Sequence, residues 1–435
     1  MSAWTEADLL YWDEKITRVA QDLGLDWYPI DYEIIDYQEM LGAMAYVGLP
    51  THYRHWSYGK QYERTHTLYN MGQTGLPYEM IINSNPSIAY LMRENALYIH
   101  ILTMAHCVGH SDFFKNNRMF ADTNPNHIID KFKAASKYVR QLIEDPSIGI
   151  DKVENILDAA HSIKYQVPRY PGIAYRSREE ILASEKTKMD EDATYFPDLT
   201  RIPLEPEYNV LKFIAEHSKH LKDWERHLLL IVEESSQYFI PQALTKIMNE
   251  GWACTIHYKI VNELNLPDSL HLPFVKLHNQ VIRPHLGTLN PYHLGFKLFE
   301  KIIEEKGMQE AIDIREIHND ITFLRFYLDK TFMEEMNYFS YSFKKDKKGN
   351  TIDDISDNQG WEVVRDDLIS NVALNRIPTV FVDELEKDNT LSLMHEHDGR
   401  DLDLSYAQKV FEHVQKLWGD KVRFTTIVEN EIWEF

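Results

Sequence analysis

Apolar side chains recur every three or four residues over long stretches of the chain, which is the spacing of an amphipathic α-helix. Between residues 12 and 24 four large apolar residues follow this spacing, and the glycine that ends the run favours a left-handed helix end. Further helices are predicted over 86–114, 128–144, 208–239 and 242–264. The first part of the chain is therefore predicted to be a mainly helical body.

After about residue 320 the pattern shifts towards short runs that are typical of strands. A β-hairpin is predicted over 338–351 with its turn at Lys348-Gly349-Asn350, followed by strands and helices at 361–371, 379–382, 391–394, 406–418 (ending at Gly419) and 422–428. This mixture predicts an α+β fold, with a helical body over 1–320 and a small α+β domain over 321–435. Five prolines among polar residues predict a long loop or lid over 168–208.

The composition is that of an ordinary folded protein, since 44% of the 435 residues are hydrophobic and 26% are charged. A formal net charge of -22 repels polyphosphate, so nucleic-acid binding is not expected. No run approaches the roughly 18 apolar residues of a membrane helix, and the acidic start differs from a secretory signal. The two cysteines, Cys107 and Cys254, are too few for a disulfide framework. We therefore expect a soluble cytoplasmic protein without membrane insertion.

His106 and His110 form the most informative pair in the sequence. On a helix they differ by about 40° around the axis and by about 6 Å along it, so both imidazoles can reach one ion. The surrounding stripe is apolar, and a buried imidazole needs partners for its nitrogens, of which a metal is one. Gly109 between them costs about 1 kcal/mol of helix stability relative to alanine, which indicates a close approach at that point. The alternative is a pair of core histidines bonded to carbonyl groups.

Glu250, Cys254 and His257 form a second polar group on an otherwise apolar helix face. At helical spacing they fall within about 60° of one another. An ionised glutamate in such a place is costly unless it is paired or coordinated. A role as metal ligand is one interpretation of Glu250, and a buried salt bridge with a residue such as Arg93 is the other.

If the two helices pack together, four side chains converge on one divalent metal ion. These are His106, His110, Glu250 and His257, of which His257 is either a ligand or a hydrogen-bond donor to a ligand, with Cys254 as a fifth candidate. The nitrogen and oxygen atoms of this set suit zinc, with iron as the alternative.

Glu233 and Glu234, slightly upstream, are the candidate catalytic carboxylates. Glu234 shares a helix face with His227 and Tyr238, so we expect it to be the more buried of the two. Burial raises a carboxyl pKa towards the range that is useful for general acid–base catalysis. Two solvated glutamates are the structural alternative.

Several long segments of the chain carry a family resemblance. They are HWSYGKQYE from residue 55, INSNPSIAYLMRENALYIHILTMAHCVGHSDFFKNN from residue 82, YFIPQALTKIMNEGWACTIH from residue 238, LNPYHLG from residue 289 and LSLMHEHDGRDLDLSYAQKVFEHVQKLWGDKVRF from residue 391. Together they resemble the stage V sporulation protein R (SpoVR) family. The resemblance implies a sporulation role in forming the spore cortex, which is made of peptidoglycan, and leaves room for a protein partner in cortex assembly.

The histidine pair and the downstream glutamate are also similar, more distantly, to zinc peptidases in which HExxH and a later glutamate hold the metal. This zincin-like resemblance implies His106 and His110 as the first ligands and Glu250 as the third. It departs from those enzymes at Cys107, which stands where they keep the general-base glutamate. Because a neutral thiol does not readily deprotonate a metal-bound water, a carboxylate from another helix would have to act as the base.

Three functions follow from these features. The first is a divalent-metal-dependent hydrolase of an amide or ester bond acting in cortex formation, with Glu234 as base. The second is a non-enzymatic regulatory or adaptor protein in which the polar stripes form a hydrogen-bonded core or a structural metal site, and Cys107 favours it. The third is a non-haem iron oxidoreductase, since two histidines and one carboxylate also suit Fe(II).

Overall fold

A computed structural model of the protein describes residues 4–435 except 50–51, 72–78, 173–175, 193, 286–287, 337, 345–348 and 356–359. Within these residues helices predominate over strands, which confirms the predicted α+β fold with a mainly helical body. The helices are α1 (Glu6–Asp22), α2 (Tyr37–Ala45), α3 (Trp56–Asn70), α4 (Leu97–Asn116), α5 (Ile128–Glu144), α6 (Ile150–Ser162), α7 (Arg178–Glu191), α8 (Val210–His217), α9 (Asp223–Leu244), α10 (Lys246–Glu263), α11 (Asp268–Val281), α12 (Pro291–Lys306), α13 (Met308–Ile317), α14 (Asp320–Tyr327), α15 (Lys330–Met336), α16 (Trp361–Asn371) and α17 (Leu404–Trp418). The strands are β1 (Ile30–Ile35), β2 (Met80–Ile82), β3 (Ser87–Met92), β4 (Phe339–Lys344), β5 (Gly349–Ile355), β6 (Val380–Leu385), β7 (Leu391–His395), β8 (Val422–Val428) and β9 (Glu431–Glu434).

The strands form three small sheets in the described part of the chain. In the first sheet β3 is central, parallel to β1 and antiparallel to β2. In the second, β4 and β5 form an antiparallel hairpin, which confirms the predicted hairpin, although Lys348 of its predicted turn lies outside the described residues. The third has the order β6-β7-β8-β9, and its parallel pair β7 and β8 is connected through α17.

The chain divides into two compact units, each built from several stretches. Unit 1 comprises Met1–His52, Trp56–Lys133 and Pro241–Arg376, and unit 2 comprises Tyr53–His55, Ala134–Ile240 and Ile377–Phe435. The domain boundary expected near residue 320 from the sequence stays a prediction. Among the described residues, none of the helices combines the length and the apolar character that a bilayer span needs.

Three predicted elements differ from the structure, and one of them, the helix predicted over 208–239, is divided into α8 and α9. The segment predicted as one helix over 86–114 begins with strand β3, and α4 starts only at Leu97. A short apolar run such as Ser87–Met92 cannot be assigned from periodicity alone, and here pairing with β1 and β2 decides for a strand. The loop predicted over 168–208 contains helix α7, which begins at a capping box formed by Ser177 and Glu180.

Helix α4 lies at the centre of unit 1. All of its residues from His100 to Phe114 are buried, because α1, α10, α11, α13 and the strands of the first sheet pack around it. A helix enclosed in this way has no polar face, so its histidines and Asp112 are polar groups inside the core. The structure must therefore supply each of them with a partner.

Asp112 shows how such a group is accommodated. Its carboxylate accepts hydrogen bonds from Trp252 Nε1 at 2.8 Å and from the backbone N–H of Asp26 at 2.9 Å, and lies 3.2 Å from Arg315 Nε. Burial raises the pKa of Asp112 to about 6, while the nearby Arg315 charge acts to lower it. These contacts join α4 to α10 and α13.

Close backbone contacts complete this packing. A Cβ added at Gly109 of α4 would lie 2.7 Å from Ala253 Cα of α10, so the close approach expected at Gly109 is confirmed. On the other side of α10, Gly251 is in direct backbone contact with Gly295 of α12. At the start of α10, the carboxylate of Asp320 accepts hydrogen bonds from backbone N–H groups of the first turn that have no partner within the helix, including those of Ile247 and Met248, each at 2.9 Å.

Candidate metal centre

The three residues predicted as principal ligands meet in unit 1. Helix α4 carries His106 and His110, and helix α10 carries Glu250. Glu250 Oε2 lies 3.5 Å from His110 Nε2 and 3.8 Å from His106 Nε2. One ligand atom from each of the three residues lies within 4.8 Å of the others. The two apolar helix faces therefore bring these side chains together, and their role as ligands stays a prediction.

Two of these atoms are buried without hydrogen-bond partners in the described part of the chain, namely His106 Nε2 and Glu250 Oε2. Their separation of 3.8 Å exceeds a hydrogen bond. Two ligand atoms bound tetrahedrally to one zinc ion are about 3.3 Å apart, given bonds of about 2.0–2.1 Å. The spacing in the cluster is thus close to that of groups that share an ion, and an ion would satisfy both buried atoms.

The other ring nitrogen of each histidine already has a partner. His110 Nδ1 lies 2.8 Å from Asn249 Oδ1, so this nitrogen donates its proton to the amide oxygen. His106 Nδ1 lies 2.8 Å from His257 Nδ1. In both rings the contact leaves Nε2 facing Glu250, as is usual for a histidine that binds a metal through one nitrogen and a protein partner through the other.

His257, the fourth predicted ligand, lies behind His106. Its Nδ1 contacts His106 Nδ1, and its Nε2 lies 2.7 Å from His278 Nδ1. His106, Cys254 and His257 also have ligand-type atoms within 4.8 Å of one another. Because both ring nitrogens of His257 are within hydrogen-bond distance of other imidazoles, this geometry fits a partner of a ligand better than a ligand.

The electrostatics of the cluster favour opposite charges on its members. Burial would raise the pKa of Glu250, but its interactions with His106 and His110 outweigh burial and hold that pKa well below its usual range. Burial would lower the pKa of His110, but interactions with Glu250, Asn249 and Glu79 outweigh it and raise the pKa. The cluster is thus built around an ionised carboxylate beside an imidazole that holds a proton readily, and a cation is able to replace that proton.

Both cysteines of the chain lie beside this cluster as buried thiols. Burial, with a further contribution from the negative charge of Glu79, raises the pKa of the Cys107 thiol well above its usual value. Burial and the charges of Glu250 and Glu79 have the same effect on Cys254. Since a thiolate is the form that binds metal or attacks carbon, neither sulfur is activated here.

Glu79 is a second carboxylate at the cluster, and it was not predicted from the sequence. It immediately precedes β2, and its Oε1 lies 3.8 Å from His106 Nε2, with 14% of the side chain exposed. Glu79 therefore stands as close to His106 as Glu250 does. No periodic pattern identifies it, because only the packing of β2 against α4 brings it to the site.

Tyr292, which belongs to the LNPYHLG segment, is a further residue at this site. It lies in the first turn of α12, where Asn290 caps the helix, and three residues before the Gly295 contact with α10. Burial raises the pKa of Tyr292 far above its usual value, and the charges of Glu250 and Glu79 raise it further. The hydroxyl therefore stays protonated and is available as a hydrogen-bond donor.

Glu233 and Glu234, the predicted catalytic carboxylates, lie on α9 in unit 2. Glu233 is 7% exposed and Glu234 is exposed, so the expectation that Glu234 is the more buried is wrong. The buried side of α9 carries Leu229, Val232 and Ser236 together with Glu233, whose Oε1 accepts a hydrogen bond of 2.7 Å from Asn209, the cap of α8. Burial raises the pKa of Glu233, while the bond from Asn209 acts to lower it.

These features define a mainly helical protein with a buried cluster of histidine and glutamate side chains of the metal-ligand type. Residues 3–377 match the family described as "SpoVR like protein", and residues 379–429 match the "SpoVR-like C-terminal domain". The chain therefore belongs to the SpoVR family, which confirms the resemblance found in the sequence. It is 34% identical over 468 residues to a protein of Escherichia coli (strain K12) named "Uncharacterized protein YcgB", covering 96% of this chain and 91% of that protein. No solved structure matches the chain.

Proposed function

We propose that this SpoVR-family chain binds a divalent metal ion through His106, His110 and Glu250 and uses it to hydrolyse an amide or ester bond. The proposal is carried by one observation: His106 Nε2 and Glu250 Oε2 are buried, lack hydrogen-bond partners in the described part of the chain, and face each other at 3.8 Å. The donor set suits zinc first and iron second. A bound zinc ion lowers the pKa of its water to about 7 and polarises a carbonyl group.

Glu79 is the proposed proton acceptor of this reaction. Its carboxylate lies at the cluster, 3.8 Å from His106 Nε2, and is partly exposed, so a water molecule can reach it. Cys107, which occupies the position of the base in the similar peptidases, is a buried thiol with a raised pKa and does not take this role. Glu233 and Glu234 of unit 2 remain the alternative base proposed from the sequence.

We propose a cytoplasmic role in forming the spore cortex, in which a protein partner takes part in cortex assembly. This role rests on membership of the SpoVR family and on the association of that family with cortex peptidoglycan. The net charge of -22 supports a substrate other than nucleic acid. Deletion of the gene in a spore-forming host, followed by measurement of cortex peptidoglycan in the spores, tests it, and unchanged cortex would contradict it.

Elemental analysis of purified protein tests the metal site. The variants are His106→Ala and Glu250→Ala, and the matched control is His100→Ala, which removes another buried histidine of α4. We expect about one ion per chain in the wild type and in the control, and little in the two site variants. Equal metal content in all four proteins would refute the site.

Hydrolysis assays with metal-loaded protein test the reaction on a panel of amide and ester substrates that includes peptidoglycan fragments. We expect Glu79→Gln to keep the metal and to lose hydrolysis, and the double variant Glu233→Gln/Glu234→Gln to keep both. If Glu79→Gln keeps hydrolysis and the double variant loses it, a glutamate of α9 is the base. Retained metal with no hydrolysis by the wild type would instead favour the regulatory protein with a structural metal site, which the thiol at Cys107 supports.

The third function, a non-haem iron oxidoreductase, uses the same ligand set. Two histidines and one carboxylate with open coordination positions are typical of Fe(II) oxygenases. Mössbauer spectroscopy of anaerobically purified protein distinguishes it from the zinc hydrolase, because a protein without iron would exclude the oxidoreductase.

A further inference from the structure

Three buried imidazoles form a row that starts at the cluster and crosses three helices. His106 of α4 contacts His257 of α10 through their Nδ1 atoms at 2.8 Å, and His257 Nε2 contacts His278 Nδ1 of α11 at 2.7 Å. The exposed fractions are 2% for His106, 0% for His257 and 2% for His278. Both contacts are short hydrogen bonds in a part of the core that excludes water.

Each of these contacts needs one N–H donor and one lone pair. If His106 Nε2 gives its lone pair to a cation, the proton of this ring is on Nδ1 and is donated to His257 Nδ1. His257 Nδ1 then carries no proton, so the proton of His257 is on Nε2 and is donated to His278 Nδ1. A ligand role for His106 therefore sets the direction of both hydrogen bonds in the row.

The far end of the row is held by aromatic packing. The ring of Tyr258 is stacked on His278 with centroids 4.8 Å apart and an interplanar angle of 26°. Phe296 meets the same ring edge-on at 5.1 Å. Contacts on a face and on an edge restrict rotation of the imidazole, so His278 presents Nδ1 to His257 in a fixed direction.

We infer that His257 and His278 are positioning residues that hold His106 in the tautomer and orientation of a metal ligand. The inference rests on the proposed metal site and extends it to a residue two hydrogen bonds away, on a helix that supplies none of the proposed ligands. It also assigns different partners to the two ligand histidines, an imidazole row for His106 and the amide of Asn249 for His110. Removal of such a partner typically lowers metal affinity by about 10- to 100-fold.

Zinc affinity, measured by competition with a chromophoric chelator, tests this assignment in four proteins. They are the wild type, His278→Leu, His278→Asn and the control His271→Leu, which removes another histidine of α11 outside the row. We expect His278→Leu to bind zinc about 10- to 100-fold more weakly. His278→Asn should recover most of that loss, because its amide oxygen replaces Nδ1 as the acceptor, and the control should bind like the wild type.

Nitrogen-15 NMR of the zinc-loaded wild-type protein reads the tautomers without any substitution. We expect the proton on Nδ1 of His106 and on Nε2 of His257. Protons on the opposite nitrogens, or wild-type affinity in His278→Leu, would overturn the inference while leaving the metal site intact. If the wild type binds no zinc or iron, the proposed function fails, and the inference fails with it.

Discussion

Replacement of Gly109 by alanine tests whether the contact between α4 and α10 sets the geometry of the cluster. The added Cβ would lie 2.7 Å from Ala253 Cα, 3.2 Å from Ile256 Cβ and 3.3 Å from Ala253 Cβ. Carbon atoms in ordinary contact are about 3.5–4.0 Å apart, so the two helices must separate by about 1 Å. The nearest atom is backbone, and rotation of a side chain therefore does not relieve the clash.

Two opposing contributions decide whether Gly109→Ala raises or lowers the free energy of unfolding. Alanine in a helix interior gains about 1 kcal/mol over glycine. Overpacking of a well-packed core costs about 1–3 kcal/mol. We therefore expect a net destabilisation of about 1 kcal/mol, together with a widening of the 3.5 Å separation between His110 Nε2 and Glu250 Oε2 by about as much as the helices move. Since ligand atoms on one zinc ion are about 3.3 Å apart, zinc affinity should fall by at least about tenfold.

Thermal unfolding of the metal-free protein and zinc titration measure these two effects. The matched control is Gly42→Ala in α2, where an added Cβ has no atom within 4 Å in the described part of the chain. We expect the control to raise the melting temperature through helix propensity and to leave zinc affinity unchanged. A Gly109→Ala protein as stable as this control, with wild-type zinc affinity, would refute the reasoning.

Other perturbations address acid sensitivity and two helix ends. Zinc affinity should fall as the pH decreases from about 8 to 6, because the raised pKa of His110 lets a proton compete with zinc for Nε2. Zinc titrations that show an unchanged affinity across this range would contradict that account. Asp320→Ala should lower the free energy of unfolding by about 1–2 kcal/mol, since it removes the acceptor of the first N–H groups of α10, and urea unfolding at wild-type stability would argue against this capping. Gly419→Ala should lower the melting temperature more than Gly399→Ala. Both glycines have a positive φ, but only at Gly419 would the added Cβ collide with another residue, His220. Equal decreases in melting temperature would show that backbone strain alone accounts for the effect.

Several elements were predictable because one local rule dominates them. Helix α17 ends at Gly419, where φ is 74°, as the sequence predicts from a glycine after an apolar helical run. The helices of the cluster were recognisable because His106, His110 and Glu250 interrupt apolar faces. A polar residue of ligand type in such a position needs a partner, and the structure brings these three together.

The remaining parts of the site depend on contacts that are distant in sequence. Glu79 reaches the cluster only because β2 pairs with β3 and packs against α4, and neither strand has a periodicity that separates it from a helix. Tyr292 is placed by the backbone contact between Gly251 and Gly295, which no sequence pattern specifies. Glu233 rather than Glu234 is buried because α9 turns the side that carries Leu229, Val232 and Ser236 inward. Residues 228–232 are all apolar, so the sequence does not show which side of this helix faces the core.

The enclosure of α4 also has a consequence for biosynthesis. This helix is complete at Asn116, whereas α10, α11 and α13, which cover much of it, begin at Lys246, Asp268 and Met308. A ribosome must therefore add well over a hundred residues before α4 gains these neighbours. Nascent or truncated chains that end before Lys246 leave the hydrophobic surface of α4 without these covering helices, and we expect them to aggregate or to require chaperones.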